Sequence, residues 1–215
     1  MVVLVIPDMS NLPRLVLIAD GFTQPEWGQR SLQAVRYGVK WVHLRDHGAR
    51  PDQFELAAKL LSTKLRDVSP RLKVSINPHL EVADRLHLPF HASMRNAGLT
   101  KARGILGPDA LIGCSTHSVH EVAKAAREGA DYVFFGHVFP TRSHPGEEPR
   151  GLDELKTACL EAGKMPVIAI GGITADRVKS CLEVGAHGVA VISSLMTAPN
   201  LFEAVGRFAH VLHEL

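Results

Sequence analysis

Short apolar runs alternate with amphipathic stretches from one end of the chain to the other. The runs fall at 15–19, 41–44, 72–76, 88–91, 111–112, 132–135, 167–170 and 189–192. Most are near-continuously apolar, the pattern of parallel strands covered on both faces. Between them apolar residues recur at helical spacing. Phe54, Ala58, Leu61 and Leu65 share one face, Val119, Val122, Ala123 and Ala126 a second, and Val178, Cys181 and Leu182 a third. Three segments repeat one unit: YGVKWVHL at 37–44, GADYVFF at 129–135 and GAHGVAV at 185–191. In each, a glycine ends a helix where positive φ is needed, and a strand follows at once. This punctuation predicts an α/β fold, a single (β/α)8 TIM barrel over 14–215, with an open doubly wound sheet as the alternative because local pattern does not show closure. Residues 1–13, with Pro7 and Pro13, are expected to form an N-terminal arm or a cover on the barrel bottom.

Composition narrows the function classes. The chain has 215 residues, 46% hydrophobic and 21% charged, which suits one ordinary globular domain. Its 24 Lys+Arg against 22 Asp+Glu leave +2, with no run of like charge, so neither a nucleic-acid partner nor a broad basic face is expected. A pI near 8.5 still suits small anions. Cys114, Cys159 and Cys181 have no CxxC spacing, which argues against a disulfide framework or zinc ribbon and for a cytoplasmic setting. The apolar opening at 1–6 is too short for a membrane span and lacks a secretory signal's basic start, so no membrane partner is expected.

In such a barrel the chemistry belongs at the C-terminal strand ends. The residues there are Asp20, Arg45, Asn77, His91, Ser115 with His117, Gly136 with His137, Gly171 with Gly172, and Ser193 with Ser194. Glycines let backbone N–H groups approach an anion, and the loops after strands 7 and 8 are the usual phosphate site. Gly171, Gly172, Ser193 and Ser194 are therefore expected to bind phosphate, against the plainer reading of a tight turn. Arg45 could hold a substrate carboxylate through its planar fork, or pair with Asp46 or Asp20. His117, in GCSTHS at 113–118, could take and return a proton at the mouth. Alternatively it is structural, with Ser115 or Ser118 capping the next helix. His137 and Ser115 are further possible polar contacts. None of the 12 histidines sits in HExxH, and no ligand spacing is recognisable, so no metal site and no cofactor are expected. The polar segment 141–150 is the natural lid.

Six motifs, in order, resemble the thiamine phosphate synthase/TenI superfamily: LVLIAD (15–20), VHLRD (42–46), IGCSTHS (112–118), FGHVFPT (135–141), IAIGGI (168–173) and GAHGVAVISS (185–194). The resemblance implies a (β/α)8 barrel acting on thiazole phosphates in thiamine biosynthesis, expected as a homodimer. Its synthases join a pyrimidine pyrophosphate to a thiazole phosphate with Mg²⁺ held by two aspartates. The first of those places is Pro78 in this sequence, and the second is Asn96 beside Arg95. The lysine of the synthase loop is replaced by Arg142 and His144. Losing two carboxylates should weaken a site for a hard cation. The FGHVF segment at 135–139 is similar to TenI, a thiazole tautomerase. The resemblance thus implies a metal-independent isomerase that aromatises a carboxy-dihydrothiazole phosphate. His117 would be the acid–base residue and Arg45 would hold the substrate carboxylate. The alternatives are a Mg²⁺-dependent thiamine phosphate synthase and a non-catalytic thiazole or thiamine phosphate-binding regulator.

Overall fold

In the computed structural model, which describes residues 12–94 and 98–213, eight parallel strands pair in chain order and the last pairs with the first. They are β1 Leu15–Asp20, β2 Trp41–Arg45, β3 Lys73–Asn77, β4 Phe90–Ser93, β5 Ile112–Thr116, β6 Tyr132–Gly136, β7 Val167–Ile170 and β8 Gly188–Val191. Leu17 stands opposite Val42 on one side and Val191 on the other, which closes the (β/α)8 barrel and removes the open-sheet alternative. Helices α1 Pro25–Arg36, α2 Pro51–Val68, α3 Leu80–Leu86, α4 Gly98–Leu106, α5 Val119–Arg127, α6 Gly151–Ala162 and α7 Ala175–Glu183 follow β1 to β7. A short α8, Ser193–Met196, and the closing α9, Leu201–His213, follow β8. Pro25 and Pro51 begin α1 and α2, where a missing N–H costs nothing.

Strand alternation splits the apolar residues into two cores. Leu15, Leu17 and Ala19 face the helices, while Val16 and Ile18 face the barrel axis with Trp41, Tyr132, Phe134, Ile168 and Ala190. Leu12 joins that inner cluster, and its carbonyl accepts a hydrogen bond from His187 Nε2, so the chain just before β1 plugs the axis. Residues 1–11 of the expected arm lie outside the described residues. The aromatic filling explains why β5 runs beyond the short apolar pair at 111–112. A Cβ at Gly113 would collide with the Tyr132 ring, so the strand carries small and polar residues instead. The expected stripe on α5 is also rotated: Val122 and Ala125 are buried, whereas Ala126 is exposed.

The barrel also encloses polar side chains inside runs that read as apolar. Trp41 Nε1 donates to Ser75 Oγ (3.0 Å), which is 2.8 Å from His43 Nδ1. His91 lies 3.1 Å from the Tyr132 hydroxyl through Nδ1 and 3.0 Å from Ser115 Oγ through Nε2. A buried polar group is tolerable only when so partnered. Helix α9 lays Leu201, Val205 and Phe208 on the barrel, leaving Phe202 exposed and edge-on to Tyr37. No helix among the described residues is long and apolar enough to cross a membrane.

Candidate active site

The C-terminal ends of β5 to β8 surround a cavity of about 160 Å³. Of the residues expected at the site, Arg45, Ser115, His117, His137, Gly171, Gly172, Ser193 and Ser194 all line it. His91 does not: it is buried below, inside the barrel.

The floor is built from tight backbone approaches. Gly171 and Gly172 have φ of 94° and 64°, the left-handed region that favours glycine. A Cβ on Gly171 would run into His137, and one on Gly172 would lie 2.5 Å from the Pro140 carbonyl oxygen. The chain after β6 continues pairing with that turn through Val138 N to Ile170 O (2.8 Å) and Phe139 N to Gly171 O (3.1 Å). Ser194 Oγ donates to Ile173 O at 2.6 Å, so this hydroxyl ties the β8 loop to the β7 loop. Arg177, which sequence reasoning passed over, donates from Nη1 to Gly172 O (2.6 Å) and lies 4.6 Å over the Phe139 ring. Its only sequence signal was a position in the first turn of α7.

Across the mouth, the Asp20–Arg45 alternative is the one realised. Arg45 Nε and Nη2 donate to Asp20 Oδ1 (3.0 Å) and Oδ2 (2.8 Å) in a fork. Asp46 is not its partner, because it accepts from the Thr23 hydroxyl and from the amides of Gly48 and Ala49. His117 is held at its far side. Its Nδ1 is 2.9 Å from Gly136 O, and a carbonyl only accepts, so Nδ1 carries the hydrogen and Nε2 keeps its lone pair. The His117 amide donates to Glu121, and Ser118 caps α5 through its Oγ, which accepts from Glu121 N (3.2 Å). Ser118 capping and an imidazole at the cavity thus coexist. Ser115 faces the cavity with its hydroxyl on His91.

The expected lid segment supplies Thr141, Arg142, Ser143 and His144 to one wall. His144 stacks on His137, with ring centroids 4.8 Å apart, and its Nδ1 lies 3.3 Å from Glu147 Oε1. That contact holds the Glu147 carboxyl below the usual carboxylate range. Burial, with Arg45 repulsion second, pushes His91 down to about 3, and burial also drives His43 well below its ordinary value. Burial raises the three thiols, Cys114 to about 12 and Cys159 and Cys181 to about 11, so none is a ready nucleophile.

A family model described as thiamine monophosphate synthase (TMP-TENI) matches residues 15–195. The thiamine-phosphate synthase of Salinibacter ruber is 39% identical over 204 residues, 93% of this chain and 88% of that protein. The chain belongs to the thiamine monophosphate synthase family. The thiamine-phosphate synthase of Chlorobium luteolum is 34% identical over 89% of each chain. Among solved structures, the thiamine phosphate pyrophosphorylase of Pyrococcus furiosus superposes with a TM-score of 0.84 at 27% identity, covering 96% of this chain and 98% of that one.

These relatives overturn the expectation of a thiazole tautomerase and of an isomerase class, because the proteins that match across nearly the whole chain are named as thiamine-phosphate synthases and a thiamine phosphate pyrophosphorylase, which are transferases. The tautomerase reading leaned on the FGHVF segment, with Pro78 and Asn96 in the places of the two magnesium aspartates, and it gave Arg45 the substrate carboxylate. The FGHVF segment is a local likeness, and Arg45 is engaged with Asp20 in the structure.

The family's hard cation does not fit the residues where it would sit. At the end of β3, Asn77 Nδ2 donates to His91 O (2.8 Å), and Pro78 offers no side-chain ligand. Asn96 and Arg95, the other expected departures, lie outside the described residues. Among the described residues, no carboxylate stands at the ends of β3 and β4.

Proposed function

We propose that the protein is a transferase of the thiamine phosphate synthase type, joining a thiazole phosphate to a pyrimidine pyrophosphate. The observation that carries this reading is the glycine cradle at β7 and β8, opening onto a wall that carries Arg142, in a chain 39% identical to a synthase. In this reading the thiazole phosphate rests on the turn of Gly171 and Gly172 and at Ser193 and Ser194, where backbone N–H groups face an anion. Remote phosphate binding then becomes orientation of the ring.

The bond to the pyrophosphate breaks as the bond to the thiazole ring forms, and the electron pair leaves with the pyrophosphate. The demand on the protein is stabilisation of charge on that leaving group, not proton transfer. Arg142, His144 and His117 line the cavity, and the Arg142 guanidinium supplies charge for that purpose. Arg45, neutralised by Asp20, positions the rim. His137 and Ser115 are supporting contacts. A homodimer, the assembly implied by the resemblance, is checked by sedimentation equilibrium.

The test supplies both substrates with Mg²⁺ and follows thiamine phosphate by chromatography. Product should form, and Arg142→Ala should lower kcat by about 10²-fold, the usual cost of removing one donor to developing charge. No product above buffer overturns the reading. Pro78 in place of an acid favours a second reading, ligand binding without turnover. Calorimetric binding of thiazole phosphate with no product would establish it.

A further inference from the structure

One group of metal-ligating side chains at the cavity has no part in the cradle. His137, His144 and Glu147 each offer one ligand atom, and these atoms all lie within 4.8 Å of one another. Sequence spacing concealed the group, since its members stand seven and then three positions apart in an irregular segment.

The anchor is His137, which is 4% exposed and packed against Gly171. Its main-chain carbonyl accepts from Arg150 N at 2.9 Å, which pins the segment's two ends together. Its Nε2 is 3.4 Å from the Glu147 main-chain oxygen. That oxygen can only accept, so Nε2 carries the hydrogen and Nδ1 retains the lone pair. A metal-ligating histidine is commonly fixed in this way, with its other nitrogen on a carbonyl. His144 and Glu147 stand on the turn above, joined by Glu147 N to His144 O at 3.4 Å.

We propose that His137, His144 and Glu147 form a binding site for a divalent transition-metal ion at the mouth of the cavity. Two imidazoles and one carboxylate match a borderline-soft ion such as zinc, with positions left open, rather than magnesium, which takes oxygen ligands. Metal–nitrogen bonds of about 2.0–2.1 Å require the donors to draw in by roughly 1–1.5 Å and the His144 ring to turn out of its stack. Both movements fall on side chains of an exposed turn. The His117 ring lies 6.5 Å from that of His144, so the open positions face the cavity, where an anionic oxygen could complete the coordination. The site stands whichever substrate the cavity takes.

The experiment uses protein without a histidine tag, stripped with chelator and titrated with Co²⁺. Visible ligand-field absorption reports coordination, and equilibrium dialysis with Zn²⁺ gives stoichiometry. One ion per chain is expected, with Zn²⁺ displacing Co²⁺. His144→Ala and Glu147→Gln, both at exposed positions, should each weaken binding by about tenfold or more while circular dichroism is unchanged. The absence of saturable binding overturns the proposal. So does equal affinity in the wild type and both variants, which would place the ion on other histidines.

Discussion

At the scale of single residues, the histidines divide by environment rather than by sequence context. His43 and His91 sit inside the barrel, and His117, His137 and His144 at its mouth. A histidine in the unfolded chain takes up a proton near pH 6.5, whereas His91 stays neutral down to about 3. Between those values the unfolded state binds more protons. The stability from keeping His91 neutral is therefore complete above about pH 6.5 and lost as pH falls, by up to about 1.4 kcal/mol per pH unit. Urea unfolding between pH 7 and 4 should show this slope, and His91→Met should make it shallower. Identical slopes would assign acid sensitivity to other groups. Arg45 shows what a sequence leaves undecided at this scale. Asp20 and Asp46 were equally available on paper, but the register of β1 against β2 sets Asp20 directly opposite Arg45, and the fork follows.

At the scale of elements, the β7 turn of the cradle is tied to the β8 loop by Ser194 and to the chain after β6 by a third element. Arg177, on α7, grips the Gly172 carbonyl and covers Phe139 with the same guanidinium. A hydrogen bond to a charged group and a cation–π contact each contribute on the order of 1 kcal/mol or more. Arg177→Ala should thus raise KM for the phosphorylated substrate by about tenfold, with a smaller change in kcat. Arg177→Lys, which keeps the charge but loses the planar face, should recover only part of the loss. An unchanged KM in both would show that the turn holds itself. The glycine pair was legible as a tight turn because its residue type states the backbone need. The clamp was not, because one arginine on a helix looks like any solvated charge.

At the scale of the whole molecule, closure makes the strands interdependent. Gly113 and Tyr132 lie opposite each other across β5 and β6, and the Tyr132 ring contacts Trp41 at 4.9 Å on the far side of the axis. Gly113→Ala forces that ring to move, an overpacking that typically costs about 1–3 kcal/mol. The unfolding midpoints by Trp fluorescence and far-ultraviolet circular dichroism should fall together, since the inner cluster belongs to every part of the barrel. Separate midpoints would mean that the barrel melts in pieces. The alternation of buried strands with amphipathic helices, and the glycines that punctuate it, determined the succession of parallel strands and the residues at their ends from the sequence alone, because burial and backbone freedom are local demands written in residue type, whereas closure rests on the pairing of β1 with β8. Six ordered motifs likewise led to the family, though the FGHVF likeness and the two missing aspartates pointed to the wrong branch within it. Only the folded chain decided which carboxylate Arg45 meets, which histidines are dry, and that His137, His144 and Glu147 share one corner. Those outcomes depend on distances between segments far apart in the chain, which are set by barrel closure and side-chain packing.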